Sequence, residues 1–281
     1  MCVKLRLLIF SCFVCLLAGC ADNPITGEKE FMLFPEDQDF AIGRAYAPEI
    51  EKQMGGRIKD EQLQLYIDSV GQKVAHVGHK PSWEYHFTAL NDKSVNAFAL
   101  PGGYIFITKG MLEKLQTEAQ LAAVLAHETV HVVARDTSNA MSNQIGLTLL
   151  FSAAVYQEST QAAAAAAGVA QMIISLKYSR EDESQADRGG MSYMVAAGYN
   201  PYGMVETMEI LEKLQHDGYD EFMSSHPSPI HRIEYLKIEI KVKYKNLAEL
   251  KTGTDDYQRF VLDRLERIKQ LSPPEPPIWE N

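Results

Sequence analysis

His127-Glu128-Thr129-Val130-His131 is the stretch on which the reading of this chain turns. Two histidines four residues apart lie one turn apart on one face of a helix, with Cβ atoms about 5–6 Å apart. That spacing lets two imidazoles reach one Zn²⁺, and it places Glu128 to act as general base toward an attacking water. The stretch has to be helical for this to hold. Thr117-Glu118-Ala119-Gln120 reads as a capping box, with Thr117 at the N-cap and Gln120 three residues on. Leu121 to Ala126 then put a helix former or an apolar residue at every step. Such a helix is mostly buried, and its histidines enter an apolar setting. The bland alternative is a pair of hydrogen-bonded core histidines, and a third ligand is what separates the two.

The 281 residues are 46% hydrophobic and 23% charged, a globular balance with ample material for a core. A net charge of −10 and the lack of any long basic run argue against a nucleic-acid partner. The first residues read as an export signal: Lys4 and Arg6 form the charged part, and Leu7 to Leu17 an apolar stretch too short to span a bilayer. Leu17-Ala18-Gly19-Cys20 resembles a bacterial lipobox, in which cleavage precedes a lipid-modified cysteine. Residues 1–19 are therefore expected to be a lipoprotein signal peptide, with Cys20 the lipidation site and 20–34 a tether. All four cysteines (Cys2, Cys12, Cys15, Cys20) lie at or before this point, so the mature chain can form no internal disulfide. Ala21 after the cysteine resembles the sorting pattern of outer-membrane lipoproteins, which sets the expected location on that membrane, facing the periplasm.

Along the rest of the chain, helices are expected over 35–54 and 60–77 from their acidic starts and apolar spacing. Residues 84–90, 95–100 and 104–108 are short, rich in aromatic and β-branched types, and separated by turn residues. They read as a small antiparallel sheet just upstream of the metal helix, whose edge could pair with an extended peptide. Residues 140–178 hold two apolar helical halves, neither long enough to cross a membrane. Plain buried helices are favoured there over a hairpin covering the site. Helices then follow up to Gly198, over 201–216, around Arg232 and over 257–271, with a Pro-rich tail after them. The fold class expected is α+β, mostly helical.

Zinc in a hydrolytic site takes three protein ligands and leaves one position open. Glu181, Asp182 and Glu183 supply candidates for the third; Glu183 and Asp187, four apart, share one side of a helix. Asp187 could then hold the imidazole N–H of a ligand from behind. Spacing alone does not choose among the three acids.

These residues carry a family resemblance. His127-Glu-Thr-Val-His131, Glu183-x-x-x-Asp187, Asn96-Ala97-Phe98 with Pro101-Gly102-Gly103, and His226-Pro227 followed by Arg232-Ile233 occur in this order. The set resembles the HtpX and CAAX-prenyl-protease type of zinc metallopeptidase, and most of all its periplasmic lipoprotein branch. The resemblance implies a zincin-type (gluzincin) domain over about 35–250, with 251–281 a C-terminal helix and tail. It implies that His127, His131 and Glu183 bind one Zn²⁺, that Glu128 is the base, and that Asp187 supports a ligand. It also implies that Asn96, Ala97, Pro101, Gly102 and Gly103 lie beside the substrate cleft, with His226 near the metal and Arg232 close by. His226 would stabilise the oxyanion or hold the enzyme latent. No helical-repeat domain is expected after the peptidase domain.

The activity expected is peptide-bond hydrolysis in the bacterial cell envelope, on unfolded or misassembled envelope proteins. Two other classes compete with it. One is a lipoprotein chaperone or assembly factor with a mainly structural zinc. The other is a zinc hydrolase of peptidoglycan peptides, against which the peptide-pairing strand argues.

Overall fold

The computed structural model describes residues 20–152, 162–219, 221–227 and 231–271. Residues 1–19, read above as a signal peptide, and the Pro-rich tail lie outside these residues, as does the middle of the 140–178 region. The chain opens with a hairpin, β1 (Cys20–Asp22) paired antiparallel with β2 (Lys29–Phe31). The segment read as a tether is thus folded, and it is docked. Asn23 Nδ2 donates to Glu30, Gln185 Nε2 donates to Asn23, and Leu33 N–H donates to Ser142 Oγ. Helix α1 (Glu36–Gln53) follows an extended Pro35, and its first turn carries Glu36, Asp37 and Asp39, which suit the positive end of a helix dipole. Helix α2 (Glu61–Ala75) is capped by Asp60, which accepts from Leu63 N–H at 2.9 Å. Its apolar stripe of Leu63, Ile67, Val70 and Val74 is fully buried.

Strands β3 (His86–Leu90), β4 (Ala97–Leu100) and β5 (Tyr104–Thr108) form one sheet in the order β3-β5-β4. The sheet is mixed, a correction to the all-antiparallel expectation: β4 and β5 are antiparallel, β3 and β5 parallel. The reason is the connection through residues 91–96. It reverses the chain but sets β4 one strand-width beyond β3, and β5 fills the gap through the tight turn at Pro101-Gly102-Gly103. That turn is buried beneath α1. A Cβ on Gly102 would stand 2.6 Å from Asp39 O, and one on Gly103 would stand 2.2 Å from Glu84 O. Both glycines also have positive φ, so only glycine fits this close approach.

After a short α3 (Lys109–Leu112), helix α4 (Glu118–Ala134) runs through the centre of the molecule with every residue buried. Its capping box is shifted by one. Thr117 Oγ1 accepts from Gln120 N–H at 3.2 Å, while Gln120 Oε1 reaches Gln116 N–H at 2.7 Å. Helix α5 (Asp136–Ser152) starts one residue after α4, across Arg135 in the left-handed conformation (φ 65°). An arginine there is disfavoured, and Asp39 holds it with two hydrogen bonds of 2.6 and 3.1 Å. Helix α6 (Ala162–Ile174) packs with α1 over a second, smaller core that includes Ile50, Phe98, Phe106 and Ile173. No described helix is long and apolar enough to cross a membrane.

The rest of the larger core is closed by α7 (Arg180–Ala196), α8 (Tyr202–His216), the short α9 (Glu221–Ser225) and α10 (Arg232–Lys243). α11 (Thr254–Tyr257) continues through a π-helical stretch into α12 (Asp263–Leu271). Tyr257, Val261 and Leu265 are buried in that core, and Tyr257 OH donates to Leu112 O at 2.7 Å. The carbonyls of Thr252 and Gly253 accept from Ala119 and Glu118 N–H, donors that the first turn of α4 leaves unpaired.

Candidate metal centre

Helix α4 delivers His127 and His131 to one point, α7 delivers Glu183, and the turn after α9 delivers His226. All four are buried, and one ligand atom from each lies within 4.8 Å of the others. His127 Nε2 and His131 Nε2 are 3.1 Å apart, and each stands 3.5 Å from an oxygen of Glu183. His226 Nδ1 is 3.4 Å from His127 Nε2 and 2.8 Å from Glu183 Oε1. Of the three acids at 181–183, only Glu183 reaches the centre. Glu181 is exposed, and Asp182 closes a capping box with Ser179 at the start of α7.

What lies behind the histidines settles which nitrogen faces inward. His127 Nδ1 is 3.2 Å from Asp187 Oδ1, and His131 Nδ1 is 2.7 Å from Asp136 Oδ2. A ring nitrogen that donates to a carboxylate leaves the other with a bare lone pair. Two such Nε2 lone pairs 3.1 Å apart repel unless a cation stands between them. Arg232 is the clamp on Asp187: its Nε and Nη2 donate to the two carboxylate oxygens at 2.6 and 2.5 Å, and Tyr235 OH adds a third bond at 2.6 Å. Tyr178 lies flat on the His131 ring (centroids 4.0 Å, 10°).

The electrostatics favour a bound cation. Among the described residues, four buried carboxylates at the centre (Glu128, Asp136, Glu183, Asp187) meet one permanent positive charge, Arg232. Burial works against the Glu183 carboxylate, but His226 and His127 outweigh it and hold the group well below the usual range. Asp187 is likewise lowered, burial being outweighed chiefly by Arg232. Burial pushes Asp136 up to about 6 despite its bond to His131. Both oxygens of Glu128, Glu183 Oε2 and His226 Nε2 are buried without a hydrogen bond. Nitrogen and carboxylate donors at this spacing, with unpartnered polar atoms around them, fit a divalent metal.

The remaining residues named from sequence are placed differently. Asn96 is buried at the start of β4 with Oδ1 unpartnered, and Ala97 follows on that strand. Pro101, Gly102 and Gly103 are not brought to the centre; they lie beneath α1. Sequence reasoning missed Asp136 and Tyr178. Asp136 carried a usable signal, since a ligating histidine needs an acceptor behind it and a carboxylate follows His131 by five residues. The stacking of Tyr178 has no local signal.

The pattern of Peptidase family M48 matches residues 61–240, a span that contains every side chain of the centre. Among curated proteins the chain is 29% identical over 189 residues to the Beta-barrel assembly-enhancing protease of Escherichia coli (strain K12), which covers 63% of this chain and 38% of the relative. It is 30% identical over 213 residues to the protein of that name from Yersinia pestis, covering 70% and 43%. It is 28% identical over 259 residues to the Mitochondrial metalloendopeptidase OMA1 of Schizosaccharomyces pombe, covering 88% and 73%. The chain spans less than half the length of the bacterial proteases that it matches.

Proposed function

The chain belongs to peptidase family M48 and is a metallopeptidase, and from that premise we propose that it is a zinc-dependent endopeptidase of the bacterial cell envelope, acting on unfolded or misassembled proteins. The observation that carries this reading is the buried cluster of His127, His131, Glu183 and His226 with the unpartnered Glu128 carboxylate beside it. His127, His131 and Glu183 would hold the ion, with Asp187 and Asp136 fixing the two imidazoles from behind. The chemistry that zinc supplies when bound is Lewis-acid polarisation of a carbonyl and acidification of water.

The chain's own groups do the rest. Glu128 takes the proton of the attacking water and passes it to the leaving amine. His226 Nε2, 3.6 Å from Glu128 Oε1, is a donor for the charge that develops on the carbonyl oxygen. An extended peptide adds to the outer edge of β4 beside Asn96 and Ala97, which selects unfolded segments because folded proteins rarely offer one. Lipidation at Cys20 would fix the domain to the outer membrane, facing the periplasm, a reading supported by residues 4–21.

Replacing Glu128 with Gln keeps size and burial and removes the base. The expected result is retained fold and zinc with cleavage of an unfolded protein abolished; turnover at the parent rate refutes the mechanism. A second reading rests on His226 Nδ1, which faces the same point as the other three donors. A closed four-donor set fits an enzyme held latent, or an assembly factor with a mainly structural zinc. Cleavage that rises in His226→Ala at constant zinc selects the latent enzyme, and no cleavage in any variant selects the assembly factor.

A further inference from the structure

The outer edge of β4 is already occupied. Thr108 N–H donates to Asn96 O, which makes 96 and 108 a hydrogen-bonded pair of the antiparallel ladder. The alternation of such pairs gives Phe98–Phe106 and Leu100–Tyr104 the next inward bonds. The N–H and C=O groups of Ala97 and Ala99 therefore face outward, the groups that an added strand would use. Ala99 O, however, already accepts from Thr137 Oγ1 at 3.1 Å. Thr137 is buried in the first turn of α5, ten residues after the metal-site motif starts. With its one proton committed to Ala99 O, it accepts in turn from Tyr178 OH at 3.0 Å. Tyr178 is fixed on its far side by its stack on His131 and by its own N–H, which donates to Ser225 O beside His226.

A strand paired with β4 would lie about 4.8 Å away. Thr137 Oγ1 stands within that distance, so an incoming backbone and this hydroxyl claim the same lane. We propose that Thr137 is a removable cap on the substrate edge of β4, held in place by Tyr178, and that an extended peptide binds only by displacing it. This rests on the strand-addition reading above. It makes Thr137 a positioning residue: it sets how tightly unfolded chains bind and touches none of the reacting atoms.

The test uses the zinc-loaded chain carrying Glu128→Gln, so that substrate is bound and not consumed, with fluorescein-labelled casein as the probe. Adding Thr137→Ala removes hydroxyl and methyl together. Binding is expected to tighten about two- to tenfold, the equivalent of one hydrogen bond no longer displaced. Thr137→Ser restores the hydroxyl and should return binding to that of the parent. In the active chain, Thr137→Ala should lower KM with kcat held. A residue with only a structural role would weaken binding or lower kcat. Equal or weaker binding in a folded, zinc-loaded Thr137→Ala variant overturns the cap, and so does tightening of the same size in Thr137→Ser. Should Thr137→Ala not fold, Thr137→Val drops the bond while keeping the bulk and must still bind tighter. Failure of the peptidase reading shows separately, as no cleavage of the labelled casein by the zinc-loaded active chain or by its His226→Ala variant.

Discussion

The two histidines of α4 sit one turn apart and are supported in opposite ways. Behind His127 stands Asp187, neutralised by Arg232 and bonded to Tyr235, so that support joins α4, α7 and α10 through charge. Behind His131 stands Asp136, five residues along the chain, with no cation bonded to it among the described residues except the imidazole, and a tyrosine ring covers the face. The first support is long-range and largely independent of whether a metal is present. The second is local, and Asp136 finds its compensation in whatever charge sits on His131. The difference separates a residue that holds the fold together from one whose role would be to support a bound metal.

Arg232→Ala gives the largest expected effect. It strands Asp187 as an uncompensated buried charge, a loss of about 3–5 kcal/mol. Urea unfolding should show it equally with and without chelator, because the pair needs no metal. Lysine cannot reproduce the two-pronged contact and should rescue only part of the loss.

Asp136→Asn comes next and should act mainly on the metal. Zinc affinity is expected to fall about 10- to 100-fold in a competition titration, with the fold intact. After chelation the variant and the parent should unfold at nearly the same urea concentration. If the metal-free Asp136→Asn chain were less stable than Arg232→Ala, the contrast between the two supports would be broken.

Tyr178→Phe keeps the stack on His131 and removes one buried hydroxyl, for an expected loss of about 1 kcal/mol. A loss as large as that of Arg232→Ala would show that the hydroxyl's bond to Thr137, and not the charged clamp on Asp187, is the stronger of the two supports.

An effect of similar size calibrates the others and lies far from the centre. Asp60 caps α2 and accepts from Arg264 Nε at 2.8 Å, and Asp60→Ala should cost about 1 kcal/mol. Partial burial opposes the Asp60 charge, but the bonds from Arg264 and Leu63 outweigh it and lower the folded pKa. A lowered carboxylate stabilises fully above its unfolded value, near pH 4, and loses that contribution as pH falls through the folded value. The gap between parent and Asp60→Ala should therefore narrow on acidification below about pH 4.

Much of this was legible in the chain. The metal-site helix announced itself by spacing and by unbroken helix formers, and α2 by a stripe that recurs every three to four residues. The strands were found to within two residues, but their order was not. The sequence of β3, β4 and β5 shows what each strand is made of, and nothing in it shows that β5 inserts between the other two. Glu183 could be told from Asp182 and Glu181 only once α7 was seen to turn one of the three inward. Pro101-Gly102-Gly103 read as a turn beside a cleft. Its glycines answer to α1 and Glu84, segments that a local reading does not connect with it.

The sequence alone determined the chemistry: two imidazoles and a carboxylate at helical spacing, acids about fifty residues later, and an apolar chain able to bury them. Local spacing suffices there because helix geometry is the same in every protein. Tertiary structure decided which acid joins the histidines, that Arg232 neutralises Asp187 and that Thr137 covers the edge of β4. It also decided that residues 251–271 complete the core around the first turn of the metal-site helix. Those pairings join residues 38 to 145 positions apart, and their partners are chosen by packing and by the cost of leaving a buried charge or donor alone.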